Sequence, residues 1–465
     1  MTAQTILPAN SAASGGFDVA NSVRLSGTND YFHKTPSSSG SRRLFTFSAW
    51  VKKADFSTGV LFSSGEADGN PNLALYFDSS SRINMYSTQG MQYITTRVFK
   101  DPSAWYHIVF VVDTANGTEN DRQQLYVNGV RETVFSTSNV IGQNENLSIN
   151  TSAYRMAVGT GVDDEDYFGG YMAEVVFLDN QASPAASFGE FDSDSGIWKP
   201  KNVNPLTFGT NGFYLNFQDS SNLGNDVNGG TDLTEVNLAA TDQSIDTCTN
   251  NFVTGNPIAA QGGSAQSDSL LTFTEGNLLM AANSETGIAT IGVSAGKWYW
   301  EVKVIADQDG LIIGACNEHF NINAELGYNS PSSPSAAKIF GYYGGNGNSM
   351  IVVGDGTSQS YGTALAVNDI IGVALDVDSA DQTCTFYLNG SSQGSLDITN
   401  LGSGESYFPA VGNWSAADVS TSWNFGSPAF AISSGNADAN DHGNFEYEVP
   451  SGYFALNTKN LAEYG

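Results

Sequence analysis

Paired carboxylates are the first chemistry to look for in a chain with 48 acidic and 18 basic residues. A retaining glycosidase holds two carboxyl groups about 5–5.5 Å apart, and alternate residues of one strand can place them so. The closest match is Glu190-Phe191-Asp192-Ser193-Asp194, with Glu190, Asp192 and Asp194 on one face. Such a strand needs a core-facing opposite side, and Ser193 followed by Ser195-Gly196 breaks it, so a turn is expected there. The histidines His33, His107, His319 and His442 lie far apart, and no HExxH, GxSxG or phosphate-loop pattern occurs. His107 falls inside an apolar run and is expected to pack or hydrogen-bond there. No catalytic residue is assigned, and the chain is expected not to be an enzyme.

Residue types that bind rather than react are easier to find. Gly341-Tyr342-Tyr343-Gly344-Gly345-Asn346-Gly347 reads as a flexible loop, since it lacks the Lys and helix that a phosphate loop requires. Aromatic rings stack on sugar faces while Asn and Asp bind hydroxyls, so Tyr342, Tyr343, Asn346 and Asn348, with Asn413 and Trp414, are ligand-binding candidates. The competing reading has these aromatics covering the core or a neighbouring subunit. In Asp163-Asp164-Glu165-Asp166, the carboxylates of Asp163, Asp164 and Asp166 are hard oxygen ligands that suit Ca²⁺. Consecutive acids converge only with help from carbonyls of a second loop, and a solvated charge cluster is the alternative. Ca²⁺ is the one cofactor that the sequence offers.

The elements that must position these groups are strands. His107-Ile108-Val109-Phe110-Val111-Val112-Asp113 leads to Leu125-Tyr126-Val127-Asn128-Gly129, and Ile370-Ile371-Gly372-Val373-Ala374-Leu375-Asp376 leads to Phe386-Tyr387-Leu388-Asn389-Gly390. Asn-Gly supplies the positive φ angles of a type I′ turn, so each marks a hairpin tip. A composition of 50 Gly, 27 Phe and 20 Tyr with 14% charged residues favours strands and turns over helices. The chain is expected to be all-β, with under about a tenth of its residues helical against a usual third.

A formal net charge of −30 repels nucleic acid and anionic lipid. Cys248, Cys316 and Cys384 are an odd number without CxxC or metal spacing, and are expected to be buried free thiols. No run reaches the eighteen apolar residues of a membrane span. The N-terminus lacks the pattern of a signal peptide, so synthesis in the cytosol and release by another route, such as lysis, are expected.

Five regions follow. Residues 1–15 form a small polar arm. Residues 16–180 carry closely spaced strands, among them Phe45-Thr46-Phe47-Ser48-Ala49-Trp50-Val51 and Met172-Ala173-Glu174-Val175-Val176-Phe177-Leu178, as a β-sandwich of jelly-roll type. Residues 181–265, rich in Asn, Asp, Gly and Thr, read as an irregular connector with one or two docked strands. Residues 266–428 form a second sandwich, in which Trp298, Trp300, Val302 and Val304 point inward and Tyr299, Glu301 and Lys303 outward. Residues 429–465 are too apolar to hang free.

The first sandwich resembles the laminin-G-like members of the concanavalin A-like folds. The resemblance rests on Phe45–Lys52, Trp105-Tyr106-His107-Ile108-Val109-Phe110, Leu125–Gly129 and Phe168-Gly169-Gly170-Tyr171-Met172-Ala173-Glu174-Val175. It implies a Ca²⁺ site at the sandwich edge, where the 163–166 loop falls. The second resembles an SPRY domain through Gly296-Lys297-Trp298-Tyr299-Trp300-Glu301-Val302 and the Asp369–Gly390 hairpin. The tandem, with Asp246-Thr247-Cys248-Thr249-Asn250-Asn251-Phe252 and the ending Pro450–Leu461, is similar to virion proteins of tailed bacteriophages.

That resemblance implies a non-enzymatic structural and adhesive protein of a phage particle, a tail fibre or other virion surface protein. Its expected partners are host-surface glycan and other virion proteins, and repeated copies in a homo-oligomer would convert weak sites into avidity. The arm, through Ile6-Leu7-Pro8, is expected to dock onto a virion partner or sister subunit. A glycan-degrading depolymerase and a secreted lectin are the alternatives.

Overall fold

The computed structural model describes residues 16–67, 69–259, 271–282, 285–320, 339–345, 350–353, 357–399, 405–413 and 418–465. The arm lies outside them. Helix accounts for 4% of the structure and strand for 42%. The described residues divide into two compact units, 16–250 and 251–465.

In the first unit, one sheet runs Val130–Arg131, Gln123–Val127, Trp105–Asp113, Leu44–Lys53, Gly169–Asp179, Ser22–Ser26, Gln243–Ser244. The facing sheet runs Phe135–Asn139, Gln92–Thr95, Ile83–Ser87, Leu73–Phe77, Gly59–Gly65, Arg155–Val158, Tyr31–Lys34, Thr234–Val236. Alternation fixes which face is which: Phe45, Phe47, Ala49 and Val51 enter the core between the sheets. Phe47 stacks on Phe62 of the opposite sheet with ring centroids 4.7 Å apart. Each ring removed from water in this way contributes about 1.5–3 kcal/mol.

The outer face of the first sheet is buried too. Trp50, Trp105, Val109, Tyr171 and Val176 meet Phe188, Trp198, Phe208, Tyr214 and Cys248 in a second apolar core. The stretch 181–250 therefore does more than connect. Phe213–Leu215 joins the long Gly169–Asp179 strand, pairing with Val175–Phe177 beyond the point where Ser22–Ser26 ends its own pairing. The same segment is held by a fully buried ion pair, Lys52 Nζ to Asp246 Oδ2 at 2.7 Å, while the Trp105 indole N–H donates to the other carboxylate oxygen at 3.2 Å.

In the second unit, one sheet runs Thr272–Thr274, Leu279–Ala282, Val419–Asn424, Lys297–Ala306, Ile370–Asp376, Thr383–Leu388, Ser391–Asp397. The other runs Thr286–Ile288, Tyr407–Asn413, Leu311–Asn317, Ile339–Tyr343, Met350–Val353, Thr357–Ser360. Trp298, Trp300, Val302 and Val304 face the core as their alternation predicts. Tyr299 and Glu301, expected to face outward, are on the outer face yet buried, because the C-terminal segment lies over them. Phe445 packs edge-on against Tyr299 at 5.2 Å, and Phe454–Ala455 pairs in parallel with Trp298–Tyr299. A short helix, Thr458–Tyr464, follows, its first turn capped by the Asn457 side chain accepting from the Asn460 N–H at 3.0 Å.

Both Asn-Gly tips have positive φ at both residues, 48° and 77° at Asn128-Gly129, 47° and 77° at Asn389-Gly390. Each Asn side chain also accepts from the start of the preceding long strand, His107 N–H at 2.7 Å and Ile370 N–H at 2.9 Å. Cys248, Cys316 and Cys384 are buried free thiols, and burial pushes all three up from their ordinary pKa.

Candidate binding sites

The acidic run 190–194 is a hairpin tip. Gly189–Phe191 pairs with Trp198–Pro200, and the chain reverses between them. Asp192 makes the reversal: its Oδ1 accepts from the Asp194 and Ser195 N–H groups at 3.1 and 2.9 Å and from the Ser195 hydroxyl at 2.9 Å. Its Oδ2 accepts from Lys199 Nζ at 3.0 Å, and the same ammonium lies 3.9 Å from Glu190. The Ser195 backbone N–H, then Lys199, hold the Asp192 carboxyl well below the usual range. Asp192 is thus a turn former with its lone pairs engaged, as Ser193 and Ser195-Gly196 foreshadow.

His107 is equally committed. It lies between Trp50 and Trp198, at ring distances of 4.8 and 5.9 Å. Nδ1 accepts the Trp198 indole N–H at 3.0 Å, which places the proton on Nε2, 2.9 Å from Ser48 Oγ. Burial pushes its pKa down to about 3, so the ring is neutral and positions the segment above it.

At the expected Ca²⁺ loop one of the three named acids is already engaged. Asp164 Oδ1 forms an ion pair with Arg155 Nη2 at 2.5 Å, and Asp164 and Asp166 both stand at positive φ, 58° and 53°. The turn aims successive side chains apart, and no three acids of Asp163, Asp164, Glu165 and Asp166 bring oxygens within 4.8 Å of one another. Burial, then the charges of Asp163 and Glu165, raise the Asp166 pKa.

The tyrosine candidates also move. Tyr342 and Tyr343 belong to strand Ile339–Tyr343 rather than to a rim loop, and both are buried. Tyr342 points into the core, where its hydroxyl accepts from the Thr363 N–H at 2.8 Å and its ring meets Tyr361 and Phe386. Tyr343 lies on the opposite face with Ile312, Cys316 and Phe320. Asn413 is fully buried, its amide donating to the Ala282 carbonyl at 3.3 Å. The continuous apolar run Ile339-Phe340-Gly341-Tyr342-Tyr343, buried on both faces, makes a central strand despite the local glycine content. Asn346, Asn348 and Trp414 lie outside the described residues.

The open cleft that sequence reasoning missed is in the first unit. It has a volume of about 620 Å³ and is lined by Gly40, Ser41, Asp179, Asn180, Gln181, Thr207, Gly209 and Thr210. Its floor is a buried polar network. The Asp179 carboxylate accepts from the Ser41 N–H at 2.8 Å, Asn150 Nδ2 at 2.6 Å and the Asn211 N–H at 3.2 Å. Asn211 Nδ2 in turn donates to Asn150 Oδ1 at 2.7 Å. No Lys or Arg pairs with Asp179 among the described residues. A Cβ on Gly40 would stand 2.2 Å from Asp179 Oδ2, and one on Gly209 2.3 Å from the Asp179 carbonyl, so at both walls only glycine lets the chain approach Asp179 this closely.

Above this floor Asn180, Thr207 and Thr210 are exposed, and Gln181 reaches across to the Thr207 carbonyl. The lining offers amide and hydroxyl donors and acceptors, a buried negative charge beneath them, and no aromatic platform. Such a surface suits a neutral polyhydroxyl ligand held by hydrogen bonds. The Asp179-Asn180 pair ending a long apolar strand, with Asn180 at φ 62°, is the one local signal. The other walls come from residues near 40 and 209, which only the tertiary fold brings together.

Comparison with known proteins places both units. The family model described as the concanavalin A-like lectin/glucanases superfamily matches residues 26–186, and the SPRY domain model matches residues 297–426. No curated protein sequence matches the chain. Among solved structures, the SPRY domain of human HERC1 is 14% identical, covering 36% of this chain and 96% of its own, with a TM-score of 0.28. A human SPRY domain is 18% identical over 35% of this chain and 98% of its own, with a TM-score of 0.26. The heptameric SAP-like pentraxin from Limulus polyphemus is 15% identical over 36% of this chain and 80% of its own, with a TM-score of 0.27. The chain carries a concanavalin A-like domain followed by an SPRY domain.

Proposed function

We propose that this chain is a non-enzymatic adhesive protein of a bacteriophage particle, binding host-surface glycan through its first sandwich. The observation that carries the reading is the open polar cleft over Asp179, lined by neutral hydrogen-bonding groups and two walls that require glycine. Two further features support it. Both domain families are binding folds, and the acidic run that most resembles a catalytic pair is a hairpin turn with Asp192 held by Lys199. Without an aromatic platform each cleft binds weakly, which suits a protein displayed in many copies. The virion setting rests only on the resemblance read from the sequence, carried by the tandem, the connector phrase Asp246–Phe252 and the ending Pro450–Leu461. The net charge of −30 favours a soluble particle surface over nucleic acid.

The test is sedimentation of the purified protein with host cells and with cells stripped of surface polysaccharide, with release of reducing ends followed in the same tubes. The account expects binding to the first, little to the second, and no reducing ends. Hydrolysis that persists in the purified protein would instead make it a depolymerase, and equal binding to both cell types would remove glycan as the ligand. Mass spectrometry of purified particles tests the virion setting: the protein is expected among the structural components.

A further inference from the structure

At the end of the second sandwich, where strands Leu311–Asn317 and Tyr407–Asn413 run side by side, three metal-ligating side chains converge outside the cleft described above. Glu318, His319 and Glu405 each offer one ligand atom, and all three atoms lie within 4.8 Å of one another. The first and third are fixed by the sheet itself. The register pairs Asn317 with Tyr407, and the ladder continues past the strand ends through the Glu318 N–H donating to the Ser406 carbonyl at 3.2 Å.

Each carboxylate has one oxygen already oriented. Glu318 Oε2 accepts the Ser406 N–H at 2.7 Å, and Glu405 Oε2 accepts from Asn317 Nδ2. Those contacts hold the two carboxylates in place, as outer hydrogen bonds orient metal ligands. No Lys or Arg forms an ion pair with either carboxylate among the described residues, so two like charges share a small volume without a cation. Tyr407, two residues beyond Glu405 at the start of strand Tyr407–Asn413, is 1% exposed, and its buried hydroxyl has no hydrogen-bond partner.

We propose that Glu318, His319 and Glu405 bind a divalent transition-metal ion. One imidazole and two carboxylates are a borderline-to-hard donor set, which Zn²⁺ and its neighbours accept and which Ca²⁺ does not select. A tetrahedral ion at about 2.1 Å from its ligands sets them roughly 3.4 Å apart, so rotation about side-chain bonds closes the site and leaves one position open for water or a ligand group. Glu318 and Glu405 are half-buried and His319 is exposed, so the ion enters from solvent. Binding there would tie the two strand ends together on the second domain, independently of the glycan cleft.

The experiment is calorimetric titration of the full-length protein with ZnCl₂ in metal-free buffer at physiological salt. Excess Ca²⁺ is present to occupy the acidic surface. One saturable Zn²⁺ site is expected. H319A and E405Q each weaken it at least about tenfold, whereas D163N leaves it unchanged, and circular dichroism shows both site variants folded. Cobalt titration gives a second readout, a visible absorption band of a low-coordinate ion that H319A abolishes. Absence of a saturable Zn²⁺ site, or an unchanged one in the H319A/E405Q double variant, overturns the proposal.

Discussion

The two sandwiches finish themselves in the same way mechanically and in opposite ways electrostatically. In each, one long strand has a neighbour that stops short. A late strand then fills the remaining edge, Phe213–Leu215 beside Val175–Phe177 in the first, Phe454–Ala455 beside Trp298–Tyr299 in the second. In each, the segment carrying that late strand covers the outer face of the sheet and is clamped by a buried carboxylate. The first clamp, Asp246, meets a buried cation, Lys52, at 2.7 Å. The second, Glu301, meets only neutral donors among the described residues: the Glu446 and Tyr447 N–H groups at 3.0 and 2.9 Å, Asn424 Nδ2 at 3.0 Å and the Tyr299 hydroxyl at 3.2 Å. Burial raises the Glu301 pKa against the pull of those donors. A buried charge can thus be held by a counter-ion or by a shell of dipoles, and the two devices fail differently.

The largest effect is expected at the ion pair. D246A removes the 2.7 Å partner of buried Lys52 together with the acceptor of the Trp105 indole, and breaking such a pair costs about 3–5 kcal/mol. Denaturant unfolding of the first unit's signal should show it, and loss below about 1 kcal/mol would demote the clamp to an ordinary surface contact.

Next comes Glu174, which sits at φ 50° where the pairing of Gly169–Asp179 with Leu44–Lys53 shifts register. It is buried, accepts the Tyr214 hydroxyl at 2.6 Å, and burial pushes its pKa from 4.5 up to about 7. A folded-state pKa raised above the unfolded one contributes stability that is complete below pH 4.5 and lost as pH rises through about 7. That displacement is worth about 3 kcal/mol. E174Q keeps the acceptor for Tyr214 and removes the charge. It should match the wild type near pH 4 and exceed it above pH 7, as read by thermal or denaturant unfolding at the two pH values.

E301Q is expected to cost less, about 2 kcal/mol. One carboxamide oxygen cannot serve four donors, and the NH₂ that replaces the other oxygen confronts either the Glu446 or the Tyr447 backbone N–H. Amide exchange of the 445–447 stretch should accelerate while the Trp298–Val304 strand stays protected. Uniform acceleration across the whole unit would mean that the C-terminal cover and the sheet open together.

The contrast also explains what was legible beforehand. The alternations at Phe45–Val51 and Trp298–Val304, and both Asn-Gly tips, depend on neighbours along the chain, and the structure has them. The covers were harder. Glu301 looks like an outward residue because a strand's pattern says only which face it occupies, while burial of that face depends on residues 445–447, far along the chain. The stretch 181–250 is polar on average, yet Trp198, Phe208, Phe213, Tyr214 and Cys248 are spaced to bury against one sheet. Tyr342 and Tyr343 are not rim residues because the run Ile339–Tyr343 is apolar on both faces and forms a buried strand, and glycines that follow it do not make it a loop. The cleft draws on three distant segments and was invisible, with only Asp179-Asn180 as a clue. The Glu318–His319–Glu405 cluster was half visible, as adjacent ligands whose third member is supplied by the sheet register.

The central claim is that the Asp179 cleft of the concanavalin A-like domain is where ligand sits. Equilibrium binding of the intact protein to host polysaccharide, wild type against T207V/T210V, tests it most directly. Both substitutions alter lining side chains and leave the Asp179–Asn150–Asn211 floor in place. With two hydrogen bonds of about 0.5–1.5 kcal/mol each removed, affinity should fall roughly tenfold at unchanged melting temperature. Unaltered affinity in a folded double variant would contradict the claim and move the binding surface elsewhere on the molecule.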